Sequence, residues 1–262
     1  MNTDTVLIRP CQGLEELGAC VQLQADVWGY ADRDVIPRRV FIVAQKIGGQ
    51  VIGAFDGGNL VGFAMALPGI IEGQSYLHSH MLAVTPDYRN RGIGRRLKLF
   101  QREEALGRGV RRMEWTFDPL EIKNSFLNVT KLGAIVRRYA VDFYGVSSSR
   151  LHGQVPTDRL YAEWWLDSDR VCCVLHGNPV PVSTVEQEIS VPHQIAEWRH
   201  SPADQERVLD IQTRNREHFE QAFAHQLAVV GFRIDAQGNG VFELARWQEP
   251  PLCGIRKPHG VR

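Results

Sequence analysis

The stretch PDYRNRGIGRRL, from Pro86 to Leu97, places two glycines and four arginines in twelve residues, directly after the apolar run MLAVT. A strand that enters a tight glycine turn and then a helix gathers backbone N–H groups and the positive end of a helix dipole around one small volume. Gly92 and Gly94 let a ligand approach the backbone closely. The stretch therefore predicts an anion site, and its arginines can reach phosphate oxygens: Arg89, Arg91, Arg95 and Arg96.

Spacing separates the loops that are built this way. A P-loop requires Gly-x-x-x-x-Gly-Lys-Ser/Thr, which the sequence lacks. A dinucleotide fingerprint requires Gly-x-Gly-x-x-Gly, but Leu97 stands in the place of the third glycine. The remaining pattern is Arg-x-x-Gly-x-Gly, which Arg89, Gly92 and Gly94 fill.

Hydrophobic periodicity predicts the elements that position this turn. The fold class is α/β (α+β), a mixed sheet with helices on its faces. In chain order the predicted elements are a strand in TVLIRP, a helix from Leu14 to Trp28, a helix in RRVFIVAQKI, a hairpin of QVIGAF and NLVGFAMAL around DGGN, a strand in SYLHSHMLAV, a helix from Ile93 to Leu106, a strand in RRMEWTF, a helix from Asn124 to Leu132 that Gly133 ends, and strands in AIVRRYAVDFYG and RLYAEWWLD.

After about Asp169 the composition changes, and a segment rich in turn-forming residues begins. A polar helix from about Ala203 to Leu227 and a hairpin that turns at Gly238-Asn239-Gly240 follow. We expect residues 1–168 to form a catalytic domain and residues 169–262 a C-terminal extension of helix plus hairpin. The extension either packs on the same domain or forms a small lobe.

Composition excludes several classes of function. The 262 residues carry 30 basic and 30 acidic side chains, so we expect no nucleic-acid partner. No apolar run reaches the ~18 residues of a membrane span, and the N-terminus lacks the pattern of a signal peptide. We therefore expect no membrane association and a cytoplasmic protein. The five cysteines lack metal-ligand spacing, so no metal is expected.

The segment MLAVTPDYRNRGIGRRLKLF resembles the acyl-CoA pyrophosphate motif of the GNAT (Gcn5-related N-acetyltransferase) superfamily. The resemblance extends from about Ile8 to Asp167. Within the superfamily, the sequence is similar to a bacterial group whose members have a similar C-terminal extension, and this similarity is carried by the segments EWTFDPLEIKNSFLNVTKLGA, VDFYG and PTDRLYAEWWL. It implies a mostly antiparallel central sheet whose fourth and fifth strands splay apart, and acetyl-CoA or another acyl-CoA as cosubstrate.

By this resemblance, the splayed strand exposes main-chain groups to the pantetheine arm, and an N–H near Leu82 stabilises the oxyanion. The pyrophosphate lies on the N–H groups from Asn90 to Gly94. Asn124 resembles an asparagine that often touches pantetheine, although it lies two residues nearer to Gly133 than is usual. The implied cofactor-binding residues are Leu82, Ala83, Val84, Arg89, Asn90, Arg91, Gly92, Ile93, Gly94, Arg95 and Asn124.

An alkylammonium with a pKa of about 10 needs a base before it can attack a thioester. His78 and His80 lie two residues apart on the splayed strand, so their side chains share a face roughly 7 Å apart. Counting back from the AVT segment places the family's glutamate base at His78. Glu72, Glu114 and Asp118 are further candidates, and packing inside the sheet is the alternative role for the histidines.

The general acid departs from the family pattern. The tyrosine that protonates the departing thiolate in the family is replaced by Val129 here. Tyr139 or Tyr144 could substitute, with Tyr144 as our choice, or water could, because a thiol pKa of about 8.5 makes CoA a tolerable leaving group.

The predicted activity is transfer of an acetyl group to a primary amine of a small molecule, such as an amino acid, in a ternary complex. Succinyl-CoA is an alternative donor, because the motif binds phosphates and not the acyl chain. The alternative function is a non-catalytic acyl-CoA sensor. The sequence leaves open whether the protein is a monomer or a homodimer. By the resemblance, the loop between the first two helices, which includes Trp28 and Tyr30, covers the acceptor pocket. Arg33, Arg38 or Arg39 could hold a carboxylate of the acceptor, and placement on the surface is the alternative.

Overall fold

The computed structural model describes residues 5–29, 34–145, 155–180 and 184–248. Within them, ten strands form one sheet in the order β1-β2-β3-β4-β5-β7-β6-β9-β10-β8. The strands are β1 (Leu7–Pro10), β2 (Gln50–Asp56), β3 (Asn59–Ile71), β4 (Gln74–Val84), β5 (Arg112–Phe117), β6 (Ile135–Ala140), β7 (Arg159–Trp165), β8 (Gln187–Val191), β9 (Leu227–Ile234) and β10 (Gly240–Arg246).

Every neighbouring pair in this sheet is antiparallel except β4 and β5, which are parallel. The mixed, mostly antiparallel fold predicted from the sequence is confirmed. The helices are α1 (Gly13–Trp28), α2 (Arg38–Lys46), α3 (Ile93–Gly107), α4 (Ile122–Ser125), α5 (Asp169–His176), α6 (Ile195–Trp198) and α7 (Gln205–Ala224).

Two apolar layers hold the first half of the sheet. On one face, α1 and α2 pack a cluster that includes Phe41 and Phe63, whose rings meet edge to face at 5.7 Å. On the other face, Ile93 and Leu97 of α3 pack against Ile52 and the neighbouring strands. Strands covered on both faces give a rigid platform, and β4 lies in it beside α3.

The helix predicted from Asn124 to Leu132 was placed too late and was assigned the wrong geometry. It begins at Ile122 as α4 and becomes a π-helix over Phe126–Lys131. In the widened turns Asn128 and Val129 are buried in succession, and the Thr130 hydroxyl donates to the Phe232 carbonyl at 2.5 Å. π-helical turns occur often at functional sites.

The last third of the described chain continues the same sheet. β9 joins β6 through Val136 and Val229, and β10 and β8 follow it. The predicted polar helix and hairpin form as α7 and as β9 with β10, whereas the sequence analysis missed α5, β8 and α6. The division of the chain at residues 168 and 169 stays a prediction. In the described part of the chain, no helix combines the length and apolar character needed to span a membrane.

Candidate functional site

The strands β4 and β5 separate soon after they meet. Their pairing covers Leu77 opposite Met113 and His78 opposite Glu114. The rest of β4, from residue 79 to residue 84, lines a cleft of about 610 Å³. The splayed strand pair expected from the sequence is therefore present, and it leaves backbone groups of β4 at the wall of a cavity.

A β-bulge lies in β4 at the point of separation. The register with β3 pairs Met81 with Met65 and Ser79 with Ala66, so His80 is an extra residue without a partner on β3. Bulges of this kind redirect a side chain and are common beside active sites. His80 lines the cleft.

The cleft draws its walls from several elements. The α1–α2 region, β4, α3, β5 and the segments that follow β5 and β6 all contribute. The lining residues are Val27, Trp28, Asp34, Ile36, Ser79, His80, Met81, Leu82, Ala83, Val84, Arg89, Lys98, Trp115, Thr116, Phe117, Asp118, Glu121, Asn124, Asn128, Tyr144 and Arg159.

The glycine turn follows Arg89, which lines the cleft near the end of β4, whereas Asn90 to Gly94 are not among the lining residues. Gly92 is the N-cap of α3 with φ +78°, and Asn90 also has a positive φ of 60°. A Cβ on Gly92 would meet no atom within 4 Å, so the space above the backbone is open. Open backbone at the N-terminus of a 15-residue helix suits a phosphate group, and the residues present fit the pyrophosphate of an acyl-CoA.

The arginines of the turn do not all face this space. Arg89 lines the cleft and donates from Nε to the Val84 carbonyl at 3.2 Å. Arg91 lies over the Tyr88 ring at 5.2 Å. Arg96 donates to the Val6 carbonyl at 2.5 Å, which holds it against the segment before β1. Arg89 is therefore the arginine best placed to meet a ligand that runs from the turn along β4.

The two histidines lie side by side, with ring centroids 6.1 Å apart. Burial lowers the pKa of His78 to about 4, with a further lowering by His80 that Glu114 partly opposes. Burial also lowers the pKa of His80. Both rings are thus neutral at pH 7 and able to accept a proton, but of the two only His80 lines the cleft.

The lowered pKa of His78 makes the protein sensitive to acid. The folded-state value is about 4, against about 6.5 in an unfolded chain, so between these values the unfolded state binds more protons. We expect the free energy of unfolding to fall as the pH drops from about 6.5 to 4, and the fall to be smaller in His78→Gln. Urea unfolding across this range measures it, with His218→Gln, exposed on α7, as the matched control. Equal slopes in His78→Gln and the wild type would contradict the expectation.

The other candidate bases are held elsewhere or are already paired. Glu72 is exposed in the turn between β3 and β4 and does not line the cleft. Glu114 is buried and pairs with Arg112 and Arg138. Asp118 lines the cleft but accepts two hydrogen bonds from Arg199 at 2.8 and 2.9 Å.

Of the two candidate tyrosines, the structure brings Tyr144 to the cleft, where its hydroxyl lies 2.9 Å from the Thr116 hydroxyl. Tyr139 instead donates to Asp158 at 2.7 Å and stacks on Phe219, away from the lining residues. Val129 is 1% exposed and belongs to the core.

Asn124 lines the cleft together with Asn128, whose amide donates to the Asn124 oxygen at 3.4 Å.

The residues expected to cover the acceptor or to hold its carboxylate do not all lie at the cleft. Trp28 lines the cleft, whereas Arg38 and Arg39 are exposed and do not. Tyr30 and Arg33 lie outside the described residues.

The sequence analysis missed several polar residues that line the cleft: Asp34, Ser79, Lys98, Thr116, Glu121, Asn128 and Arg159. Arg159 is 5% exposed and lies over the Tyr144 ring at 5.3 Å. Lys98 belongs to a buried stripe with Gln101 and Ala105 on α3. The helical spacing of that stripe was readable from the sequence, but polar residues on it looked like a solvated face.

Among the described residues, no group of three or more His, Cys, Asp or Glu side chains is arranged to hold a metal ion.

Residues 20–124 match the model of the acetyltransferase (GNAT) family. YncA, an acetyltransferase from Salmonella typhimurium solved with its cofactor acetyl-CoA, has a TM-score of 0.50 at 18% identity over 63% of this chain and 95% of that chain. Arabidopsis thaliana NAA60, solved with a bisubstrate analogue, has a TM-score of 0.50 at 16% identity over 62% and 98%. No curated protein compared with the sequence matches it. The structural likeness at these identities shows the fold, and the resemblance to the superfamily is confirmed.

Proposed function

We propose, from the match of residues 20–124 to the model of the acetyltransferase (GNAT) family, that the protein transfers an acyl group from acyl-CoA to a primary amine of a small molecule. The observation that carries the proposal is the separation of β4 from β5 after His78, which places the backbone of β4 and His80 in one cleft that extends to Arg89, directly before the glycine turn. Acetyl-CoA is the first donor to test.

The cleft residues divide the chemistry between them. The turn from Asn90 to Gly94 holds the pyrophosphate, and the backbone of Leu82 to Val84 pairs with the pantetheine arm. An N–H near Leu82 stabilises the oxyanion that develops at the thioester carbonyl. His80, neutral because burial lowers its pKa, takes the proton from the attacking amine.

The leaving thiolate is then protonated by Tyr144 or by water. Asn124 assists in holding the pantetheine arm. Asp34, Asp118 and Glu121 give the acceptor side of the cleft carboxylates, which favour a cationic amine over an anionic acceptor. Two arginines partly offset this charge, because Arg199 pairs with both Asp118 and Glu121, and Arg159 lies 3.8 Å from Asp118.

A second candidate function is acyl-CoA sensing without turnover. The observation that favours it is Val129, an apolar core residue at the position where the family places the acid tyrosine. Burial of an apolar side chain there leaves that position without a proton donor.

Calorimetry with acetyl-CoA and a DTNB thiol-release assay across pools of primary amines test both functions. The transferase predicts heat of binding and thiol release with at least one pool. Binding of acetyl-CoA without release on any amine, with several acyl donors, would favour the sensor. No heat with acetyl-CoA or with CoA would contradict both.

A further inference from the structure

Lys98 places a buried amine in the cleft, close to the point where β4 and β5 separate. The residue is 2% exposed and projects from α3 between the two separating strands. Its Nζ donates to the Ser79 hydroxyl of β4 at 2.7 Å and lies 3.5 Å from the centre of the Trp115 ring of β5. All three residues line the cleft.

The amine has neutral partners and no carboxylate. Within the described ranges, the contacts of Nζ are the Ser79 hydroxyl and the Trp115 ring, and no ion pair forms there. The buried carboxylates of Glu114 and Glu163 and the buried guanidinium of Arg199 are, in contrast, each paired with an opposite charge, as buried charges in proteins normally are. The Ser79 hydroxyl and the Trp115 ring satisfy at most two of the three N–H groups of an ammonium. The Ser79 hydroxyl in turn donates to the Gln101 side-chain oxygen at 3.0 Å, so the amine is held in a fixed position.

Lys98 lies where we expect the acyl end of a bound acyl-CoA. On the proposed function, on which this inference rests, the donor runs from the glycine turn along β4 toward the point of strand separation. Ser79 is the first residue of β4 beyond its pairing with β5, and Val84 is the residue nearest the turn. The segment between them spans about 16 Å at the rise of a strand, so Lys98 stands at the far end from the phosphates.

We propose that the cleft accepts an acyl-CoA whose short acyl chain ends in a carboxylate, and that the Lys98 amine pairs with this carboxylate. A carboxylate would supply the counter-charge that the protein itself does not place at Nζ. Burial lowers the pKa of Lys98 well below its ordinary value, and a carboxylate partner would favour the charged form again. Lys98 would then select the donor without touching the reacting carbonyl.

Succinyl-CoA and butyryl-CoA form a matched pair of probes, because their acyl chains have the same number of carbons and differ in the terminal charge. Calorimetry measures the affinity of the wild type for both and for CoA. The expected result is tighter binding of succinyl-CoA than of butyryl-CoA by about tenfold or more, as for a hydrogen bond to a charged group.

Lys98→Met keeps the length of the side chain and removes the charge, so we expect it to lose this preference while binding butyryl-CoA at least as well as before. Lys46→Met, on the exposed face of α2 and away from the cleft, should keep the preference. Circular dichroism and thermal unfolding establish that each variant is folded.

The outcomes separate this assignment from the proposed function. Equal affinities of the wild type for succinyl-CoA and butyryl-CoA would overturn the assignment alone, and this comparison does not depend on a variant folding. A preference that persists in Lys98→Met would also overturn it. Absence of binding by all three CoA species would overturn the proposed function and this assignment together.

Discussion

Gly92→Glu is expected to weaken CoA binding by at least about 100-fold, because like charges brought together cost several kcal/mol. Gly92 has φ +78° and open space above its Cα, so the new side chain has room and stands where the diphosphate is proposed to bind. Its carboxylate would also occupy the positive end of the α3 dipole in place of the ligand. Calorimetry with CoA measures the loss.

Gly109→Glu supplies the matched control for this experiment. Gly109 has φ +79°, and a Cβ there also meets no atom within 4 Å, but it follows the opposite end of α3. The two variants carry the same backbone strain and the same added charge, so only the location differs. Affinity for CoA that survives in Gly92→Glu would show that the turn is not the phosphate site.

His80→Gln is expected to lower kcat by about 10²–10⁴-fold, the usual contribution of a general base, while CoA affinity stays near that of the wild type. Because burial lowers the pKa of His80, the wild-type enzyme should keep its base form at pH values below about 6.5. The acidic limb of the kcat/KM profile should therefore lie below that pH and disappear in the variant. Steady-state thiol release with an active amine measures both.

His78→Gln is the comparison for this variant. His78 lies beside His80 but does not line the cleft, so we expect a smaller fall in kcat and an acidic limb that is still present. An acidic limb unchanged in both variants would remove histidine from the role of base. A larger effect at His78 would move the role to the position that the family resemblance indicates.

The order of elements and the glycine turn were predictable because both rest on local signals. Alternation and helical spacing mark β1 to β7, and the Asp-Gly-Gly-Asn turn fixes the β2–β3 hairpin. Gly92 has a positive φ, which a residue without Cβ adopts without strain, so the glycine itself marked the turn in the sequence. Local signals of this kind do not depend on the rest of the fold.

The parts that failed depend on tertiary contacts. The π-helical turns after α4 accompany contacts to distant residues such as Phe232, and periodicity along the segment cannot reveal them. β8 follows a segment rich in turn formers, and it pairs with β10, a strand about fifty residues further along the chain. Lys98 resembled a surface charge in the sequence. Its burial depends on contacts with Ser79 of β4 and Trp115 of β5, which the sequence of α3 does not reveal.

The pairing of β6 with β9 matters for any attempt to isolate residues 1–168. Val136 meets Val229 in that pairing, and Phe219 of α7 covers Tyr139. A chain cut after residue 168 would lack β9, so β6 would become an edge strand with unpaired backbone amides and carbonyls and exposed aliphatic side chains. Such an edge can pair with strands of other molecules. We therefore expect residues 1–168 alone to aggregate, even though they include the whole segment that matches the family model.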